Sequence, residues 1–139
     1  MNPKPHVLDF EPRGDECGWL VAVEGGKEIP FEIKRIFYIY GTQGETVRGR
    51  HANRRSEFVL INLRGNCCVR TDDGCGQAEV FELDKPHRGV YLPKMCWKDM
   101  YGFSEDSILL CLASERYDPS EYVRDYKLYC EEMQGMLHG

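Results

Sequence analysis

The sequence has no long apolar run, no internal repeat and no low-complexity linker. A membrane-spanning helix needs roughly 18 or more consecutive apolar residues, and no segment here comes near that length. The N-terminus also lacks the apolar core of a signal peptide. We therefore expect a single domain over residues 1–139 that works in the cytoplasm without a membrane partner.

The Cys-x-x-Cys motif is missing as well. The chain has seven cysteines, and no two are separated by two residues, the spacing typical of zinc ribbons and thioredoxin-like sites. Cys67 and Cys68 are adjacent, so on a strand their side chains would point to opposite faces. We expect reduced thiols, mostly buried, that pack as small hydrophobic residues in a reducing compartment.

A surplus of positive charge is also absent, because the formal net charge is −5. This balance disfavours a nucleic-acid partner but leaves room for a local anion site. Hydrophobic residues make up 42% of the chain and charged residues 29%, which are proportions typical of a folded domain rather than a disordered one.

What the sequence does contain is a series of short apolar or alternating segments separated by glycine, proline or Asp-Gly turns. They predict strands at residues 6–10, 18–24, 33–40, 57–63, 67–71, 78–83, 89–93 and 107–113. Short strands at regular spacing favour a β-sandwich or a closed barrel. We predict an all-β fold that is followed by a C-terminal α-helix.

The helix prediction depends on residues 118–135. Asp118 suits an N-cap, and Pro119 suits the first helical position. Side chains with apolar surface then recur at the spacings of three and four that an amphipathic helix requires; they are Tyr122, Tyr126, Tyr129 and Met133. We interpret the tyrosines as packing residues and Gly135 as the end of the helix.

Residues 48–57 carry the pattern with the most chemical content. His51, Asn53 and Glu57 follow one another as His-x-Asn-x-x-x-Glu, and Gly65 comes eight residues later. Strand alternation places residues 51, 53 and 57 on one face, where we expect them to converge inside a barrel.

In a second segment, Gly89 and Pro93 precede Lys98. Together the two segments resemble the two motifs of the cupins, and this resemblance implies a jelly-roll β-barrel. A transition metal in such a barrel requires neutral imidazoles and a carboxylate. Asn53 is a poor ligand and Lys98 carries a positive charge, so we expect no metal and no other cofactor.

A closer resemblance covers nearly the whole chain, through residues 29–35, 48–52, 97–100, 103–106 and 112–126. In order and spacing these segments are similar to the metal-free ketoisomerases that act on thymidine-diphosphate 4-keto-6-deoxy sugars, including the WxcM-like C-terminal domains. The resemblance implies an enzyme that binds a thymidine-diphosphate-linked sugar. It also implies a homodimer, because related ketoisomerases pair through their N-terminal strands.

The same resemblance implies three catalytic residues. His51 matches the first histidine of the family's His-Ala-His motif, and an imidazole is the natural proton carrier near neutral pH. Asn53 stands where the second histidine is usual, and it can orient a hydroxyl or a carbonyl but cannot exchange protons. Lys98 stands where the family has a histidine or an arginine in the pocket.

Arginines provide candidates for substrate binding, since four lie within eight residues, at positions 48, 50, 54 and 55. Guanidinium groups suit a diphosphate, so Arg48 and Arg50 are the predicted clamp, with Arg35 contributing from the neighbouring strand. The alternative is a solvated charged face.

Three other side chains complete the predicted binding site. Tyr38 and Trp97 are candidates for contact with the nucleotide base, with membership of the core as the alternative for both. Glu57 is expected either to hold His51 or Asn53 in place or to be a remnant of a metal site.

Two functions follow from these residues. The first is an isomerase that moves the keto group of a nucleotide-linked 4-keto-6-deoxy sugar from C4 to C3 through an enediol. The second is a catalytically weakened cupin that binds a sugar nucleotide or serves as a non-catalytic subunit. His51 and the arginines favour the isomerase, whereas Asn53 and Lys98 favour the binding protein.

Overall fold

The body of the protein consists of β-strands followed by one helix in the computed structural model, which describes residues 3–138. The elements are, in chain order, β1 (His6–Asp9), β2 (Arg13–Asp15), β3 (Gly18–Leu20), β4 (Arg35–Tyr40), β5 (Arg48–Asn53), β6 (Phe58–Arg64), β7 (Cys67–Asp72), β8 (Ala78–Leu83), β9 (Arg88–Leu92), β10 (Trp97–Tyr101), β11 (Ile108–Ala113), β12 (Tyr122–Val123) and α1 (Tyr126–His138).

The strands form two five-stranded sheets and one short hairpin. The first sheet has the order β1-β9-β6-β11-β4, and the second has the order β12-β5-β10-β7-β8; neighbouring strands are antiparallel in both. Strands β2 and β3 pair only with each other. Two facing antiparallel sheets with a C-terminal helix confirm the predicted jelly-roll class.

Alternating side chains of both sheets fill the space between them. Leu60, Val69, Leu83, Val90 and Leu109 come from five different strands, and none is more than 2% exposed. Burying one such side chain contributes about 1.5–3 kcal/mol. The alternation in the sequence therefore produces this core directly.

Each sheet also has a covered outer face. The segments on either side of the β2–β3 hairpin lie over the first sheet, where Phe10, Ile29 and Phe31 are buried against Val59 and Ile61. Helix α1 lies over the second sheet, where a third apolar cluster forms around a buried Trp97.

The predicted strand at residues 18–24 is too long, because pairing ends at Leu20. Beyond it, Val21 and Val23 pack on the outer cluster of the first sheet without strand pairing. The backbone N–H of Gly26 then donates to the carbonyls of Ile29 and Phe31, so a turn follows where the strand was predicted to end.

The predicted helix start at Asp118 is wrong. Asp118 is an N-cap whose carboxylate accepts the backbone N–H of Ser120, but only for one 3-10 turn over Pro119–Glu121. The chain then extends as β12, because Tyr122 and Val123 pair with the free edge of β5. Asp125 accepts hydrogen bonds from the first turn of α1, and the helix runs through Gly135 instead of ending there.

Tyr129 fixes α1 to the second sheet. It has no exposed surface, and its hydroxyl lies 2.8 Å from the carbonyl oxygens of both Asp72 and Met95. The backbone N–H of Trp97 donates to the same hydroxyl at 3.2 Å. One phenol therefore joins the helix to β7, to β10 and to the turn between β9 and β10.

All seven cysteines are free, and three of them, Cys67, Cys96 and Cys111, are buried. Within residues 3–138 there is no helix with the length and apolarity needed to cross a membrane. The cytoplasmic location and the single domain over 1–139 stay predictions; residues 1, 2 and 139 lie outside the described part of the chain.

We predict that Tyr129→Phe lowers the free energy of unfolding by about 1–3 kcal/mol, because it removes the partner of buried backbone groups. Denaturation by urea followed by fluorescence measures the change. Tyr126→Phe is the matched control, since the Tyr126 hydroxyl donates to Asp72 from a partly exposed position and should cost less. An equal or larger loss in the control would contradict the role of Tyr129.

Candidate active site

A cavity of about 180 Å³ lies between the two sheets. It sits toward the side where β4 ends one sheet and β12 and β5 end the other. Most of its lining is apolar, and the polar side chains are few: Arg48, His51, Lys98 and the half-buried Tyr122. A small apolar space with a few converging polar groups is the usual form of a ligand site.

An irregularity in β5 aims His51 into this cavity. Arg50 has a φ of 57°, and the pairing register of β10 with β5 shifts between Lys98 and Asp99. Gly49 has a φ of 90°, and a Cβ there would meet the Lys98 carbonyl oxygen at 2.8 Å. The bulge brings His51 directly opposite Lys98 across the strand pair.

The imidazole of His51 is held in one orientation. Its Nδ1 lies 2.9 Å from the Gly49 carbonyl oxygen, which assigns the proton to Nδ1 and leaves Nε2 as the free base. The Tyr122 ring packs against it with 4.7 Å between centroids. Burial, and next the charge of Lys98, lower the pKa of His51 to about 4, so the ring is neutral at neutral pH.

Lys98 places a buried amine beside His51. The residue is only 4% exposed, its Nζ donates to Asn53 Oδ1 at 2.9 Å, and the Phe58 ring centroid lies 4.6 Å from the nitrogen. Burial lowers the pKa of Lys98 to about 8, which still leaves most of the amine protonated at neutral pH. The cavity thus combines a neutral base with a cation.

This donor set does not suit a transition metal. One imidazole, one amide and one ammonium supply a single good ligand, and the ammonium would repel a cation. Among residues 3–138 there is no group of three or more histidine, cysteine or acidic side chains that could hold a metal ion.

Two of the three predicted arginines lie at or beside the cavity. Arg48 lines it. Arg35 stacks beside it, with its guanidinium carbon 5.1 Å from the ring centroid of Phe37 and 5.5 Å from that of Tyr117. Its Nε and Nη2 atoms are buried and have no hydrogen-bond partner in the described residues. Unpaired guanidinium groups of this kind suit an anionic ligand.

Three other predicted binding residues lie outside the cavity. The bulge turns Arg50 to the outer face of the second sheet, where it shares a surface groove with Trp97. Tyr38 lies on the outer face of β4, is 64% exposed and stacks on Tyr40. Strand alternation explains why the Tyr38 side chain points outward, because its neighbour Phe37 faces the cavity.

Glu57 does not converge with His51, so the expected common face of residues 51, 53 and 57 is wrong. Its carboxylate accepts a hydrogen bond from the Tyr91 hydroxyl at 2.6 Å. The turn between β5 and β6 breaks the alternation, and Phe58 takes the inward position instead. Asn53 reaches the site through Lys98 rather than by lining the cavity.

Tyr122 and Arg124 are site residues that the sequence analysis missed. Tyr122 lines the cavity, and the Arg124 guanidinium lies 4.7 Å from its ring centroid. Both were hidden by the helix prediction, which assigned Tyr122 to packing. Asp125 was the available signal, because an aspartate directly before Tyr126 is a second N-cap candidate.

Comparison with known proteins identifies the family of the chain. A family model described as FdtA: WxcM-like, C-terminal matches residues 3–134. The chain belongs to this WxcM-like family. That assignment confirms the family resemblance found in the sequence.

Characterised relatives of the same kind cover most of the chain. A TDP-4-oxo-6-deoxy-alpha-D-glucose-3,4-oxoisomerase from Aneurinibacillus thermoaerophilus is 44% identical over 120 residues, which are 86% of each protein. The structure of WlaRA, a TDP-fucose-3,4-ketoisomerase from Campylobacter jejuni, is 41% identical, with a TM-score of 0.90 over 96% of this chain and 98% of that one.

A third relative was crystallised with a sugar nucleotide. It is a histidine-to-asparagine variant of QdtA, a 3,4-ketoisomerase from Thermoanaerobacterium thermosaccharolyticum, in complex with TDP-4-keto-6-deoxyglucose. It is 33% identical to this chain, with a TM-score of 0.92 and 97% coverage of both chains.

We predict that Lys98→Met raises the pKa of His51 from about 4 toward the ordinary 6.5 without reaching it, because the charge disappears while the burial remains. Imidazole NMR signals followed over pH, in the range where the protein stays folded, measure the shift. Lys94→Met is the control, since Lys94 is exposed. An unchanged His51 pKa in Lys98→Met, or an equal shift in the control, would contradict the coupling.

Proposed function

We propose that this WxcM-like protein is a sugar-nucleotide 3,4-ketoisomerase that acts on TDP-4-keto-6-deoxyglucose or a close relative. The main support for this proposal is the pair formed by His51 and Lys98, which face each other across β5 and β10 at the same cavity. The named activities of the relatives from Aneurinibacillus, Campylobacter and Thermoanaerobacterium support the same reaction.

The proposed reaction begins with proton removal from C3 of the sugar. The C4 carbonyl acidifies this C–H bond, and the free Nε2 of His51 takes the proton. The electron pair of the broken bond forms the C3=C4 double bond, and the carbonyl π electrons move to the C4 oxygen. The product of this step is an enediolate.

Lys98 is proposed to stabilise the enediolate. A buried ammonium acts in a poorly screened environment, so its attraction for a developing oxyanion is stronger than in water. Asn53 holds the amine in place through its Oδ1. This pair supplies charge and orientation where the family usually has a second histidine.

The second half of the reaction returns a proton to carbon. The proton of the C3 hydroxyl passes to the C4 oxygen, and protonated His51 delivers a proton to C4 as the double bond electrons form the new C4–H bond. The ketone is then at C3. No atom or electron is gained or lost, so the reaction needs no redox cofactor.

The diphosphate of the substrate is proposed to bind beside the cavity at Arg35 and Arg48. Arg35 offers two buried N–H groups without partners, and Arg48 lines the cavity itself. By contrast, Arg54 and Arg55 already pair with Glu132 and Asp118. For these two arginines, the ion pairs therefore favour the alternative, a solvated charged face, over a role in binding the diphosphate.

We predict that His51→Asn lowers exchange of the C3 hydrogen with solvent deuterium by roughly a hundredfold or more, because general acid–base catalysis contributes about 10²–10⁴. Asn53→Ala should cost less, on the order of tenfold, through lost orientation of Lys98. Mass spectrometry or NMR of TDP-4-keto-6-deoxyglucose incubated with the enzyme in D₂O measures the exchange.

His87→Asn is the control, since His87 lies outside the cavity lining. Wild-type protein that binds the sugar nucleotide without any exchange would favour the non-catalytic binding protein, the alternative suggested by Asn53. Exchange at the wild-type rate in His51→Asn would place the base elsewhere.

We also propose that the enzyme is a homodimer, as the family resemblance implies through its N-terminal strands, and that the outer face of β4 at the other edge of the sheet adds to the contact. Ile36, Tyr38 and Tyr40 form an apolar stripe on the outer face of β4, and each is more than 60% exposed. Strand β4 is the last strand of its sheet, so one of its edges has no pairing strand within residues 3–138. Apolar stripes on unpaired edge strands are common sites of association.

We predict a mass of about twice 16.1 kDa by light scattering at micromolar concentration. Tyr38→Glu should shift the protein toward the monomer, because it places a charge in the stripe. Val80→Glu on β8 is the control, since Val80 is an exposed apolar residue on the edge strand of the other sheet. A monomeric wild-type protein would contradict the proposal.

A further inference from the structure

Glu121 is a buried carboxylate that the proposed reaction does not use. It has no exposed surface and forms no salt bridge in the described residues. Its Oε1 accepts the backbone N–H groups of Arg55 at 2.9 Å and Ser56 at 2.8 Å, and its Oε2 accepts the Ser56 hydroxyl. A buried charge of this kind is costly unless it is compensated.

The compensation comes partly from these hydrogen bonds. Burial alone would raise the pKa of Glu121, but the bonds from the Ser56 hydroxyl and the two backbone groups outweigh it and hold the pKa below its usual value. Glu121 is therefore a carboxylate, not a carboxylic acid, at neutral pH.

Asn53 is connected both to Lys98 and to the segment that carries Glu121. It pairs with Tyr122, the residue after Glu121, and its side chain accepts the Lys98 hydrogen bond. The Asn53 amide also helps to lower the Glu121 pKa, although its buried Nδ2 has no partner at good hydrogen-bond geometry. Asn53 thus connects the buried Lys98 ammonium with the short strand that directly follows Glu121.

The other groups facing Lys98 carry no negative charge. Burial raises the pKa of Cys96 to about 11 and that of Cys111 to about 12, so both are neutral thiols. Arg35 is positive and His51 is neutral. Of the groups around the ammonium, Glu121 is therefore the one that carries a negative charge.

We propose that Glu121 is a positioning residue that keeps Lys98 charged and, by holding the turn after β5, keeps Asn53 against it. This inference rests on the proposed function, because a charged Lys98 matters for catalysis only if it stabilises the enediolate. Glu121 acts through Lys98 and does not touch the substrate.

The test is Glu121→Gln, which keeps an acceptor for the two backbone N–H groups and removes the charge. The Lys98 pKa, measured by NMR of isotope-labelled lysine side chains, should fall below about 8, because the attraction of the Glu121 carboxylate for the ammonium is lost. The alkaline limb of kcat for C3 exchange should move to lower pH by the same amount. KM at low pH should change little.

Glu132→Gln is the matched control, because Glu132 pairs with Arg54 on the helix surface. It should leave the Lys98 pKa and the alkaline limb in place. If Glu121→Gln does not fold, the reciprocal variant Lys98→Met tests the same coupling, since it should raise the Glu121 carboxyl pKa by a similar amount, measured by carboxyl-carbon NMR.

A Lys98 pKa that is unchanged in folded Glu121→Gln, or a Glu121 pKa that is unchanged in Lys98→Met, overturns the inference. Both are measured without substrate. Failure of the proposed function would instead appear as wild-type protein that exchanges no C3 hydrogen while the Lys98–Glu121 coupling is intact.

Discussion

The burial of the Lys98 ammonium between the two sheets is the constraint on which the rest of the site depends. A buried cation must be hydrogen-bonded and offset by charge, and Asn53 and Glu121 are positioned to do both. The same cation depresses the pKa of His51 and so keeps the imidazole in its basic form. One amine thus connects the polar interior, the proposed proton carrier His51 and the proposed stabilisation of the enediolate.

Backbone irregularity makes this arrangement possible. The pairing register of β5 with β10 shifts at a bulge, and this shift sets His51 opposite Lys98. Two features form that bulge. Arg50 has a left-handed backbone conformation, and Gly49 comes close to β10. At the end of β5, the short strand β12 closes the sheet edge and brings Tyr122 over His51. The functional side chains are therefore placed by exceptions to regular strand geometry.

The predicted residues differ in how well strand periodicity could locate them. His51 follows from motif and alternation, since its side chain lines the cavity between the sheets as predicted. Arg50 and Glu57 do not, because a bulge precedes one and a turn precedes the other, and each shifts the phase of alternation. Tyr122 was assigned to a helix because its spacing to Tyr126 fits a helical period. In the structure its backbone instead forms a β-strand that pairs with the edge of β5.

The sequence by itself determined the fold class and the family and supplied His51 as the catalytic candidate, because these depend on local period and on motifs that a single chain carries. Only the tertiary structure decided which arginines reach the cavity, that Asn53 supports Lys98, and that Glu121 lies buried behind them. These facts join residues from β5, β10 and the segment before β12, which are far apart in the chain. Charge coupling depends on distance and burial in three dimensions, and neither is encoded in sequence spacing.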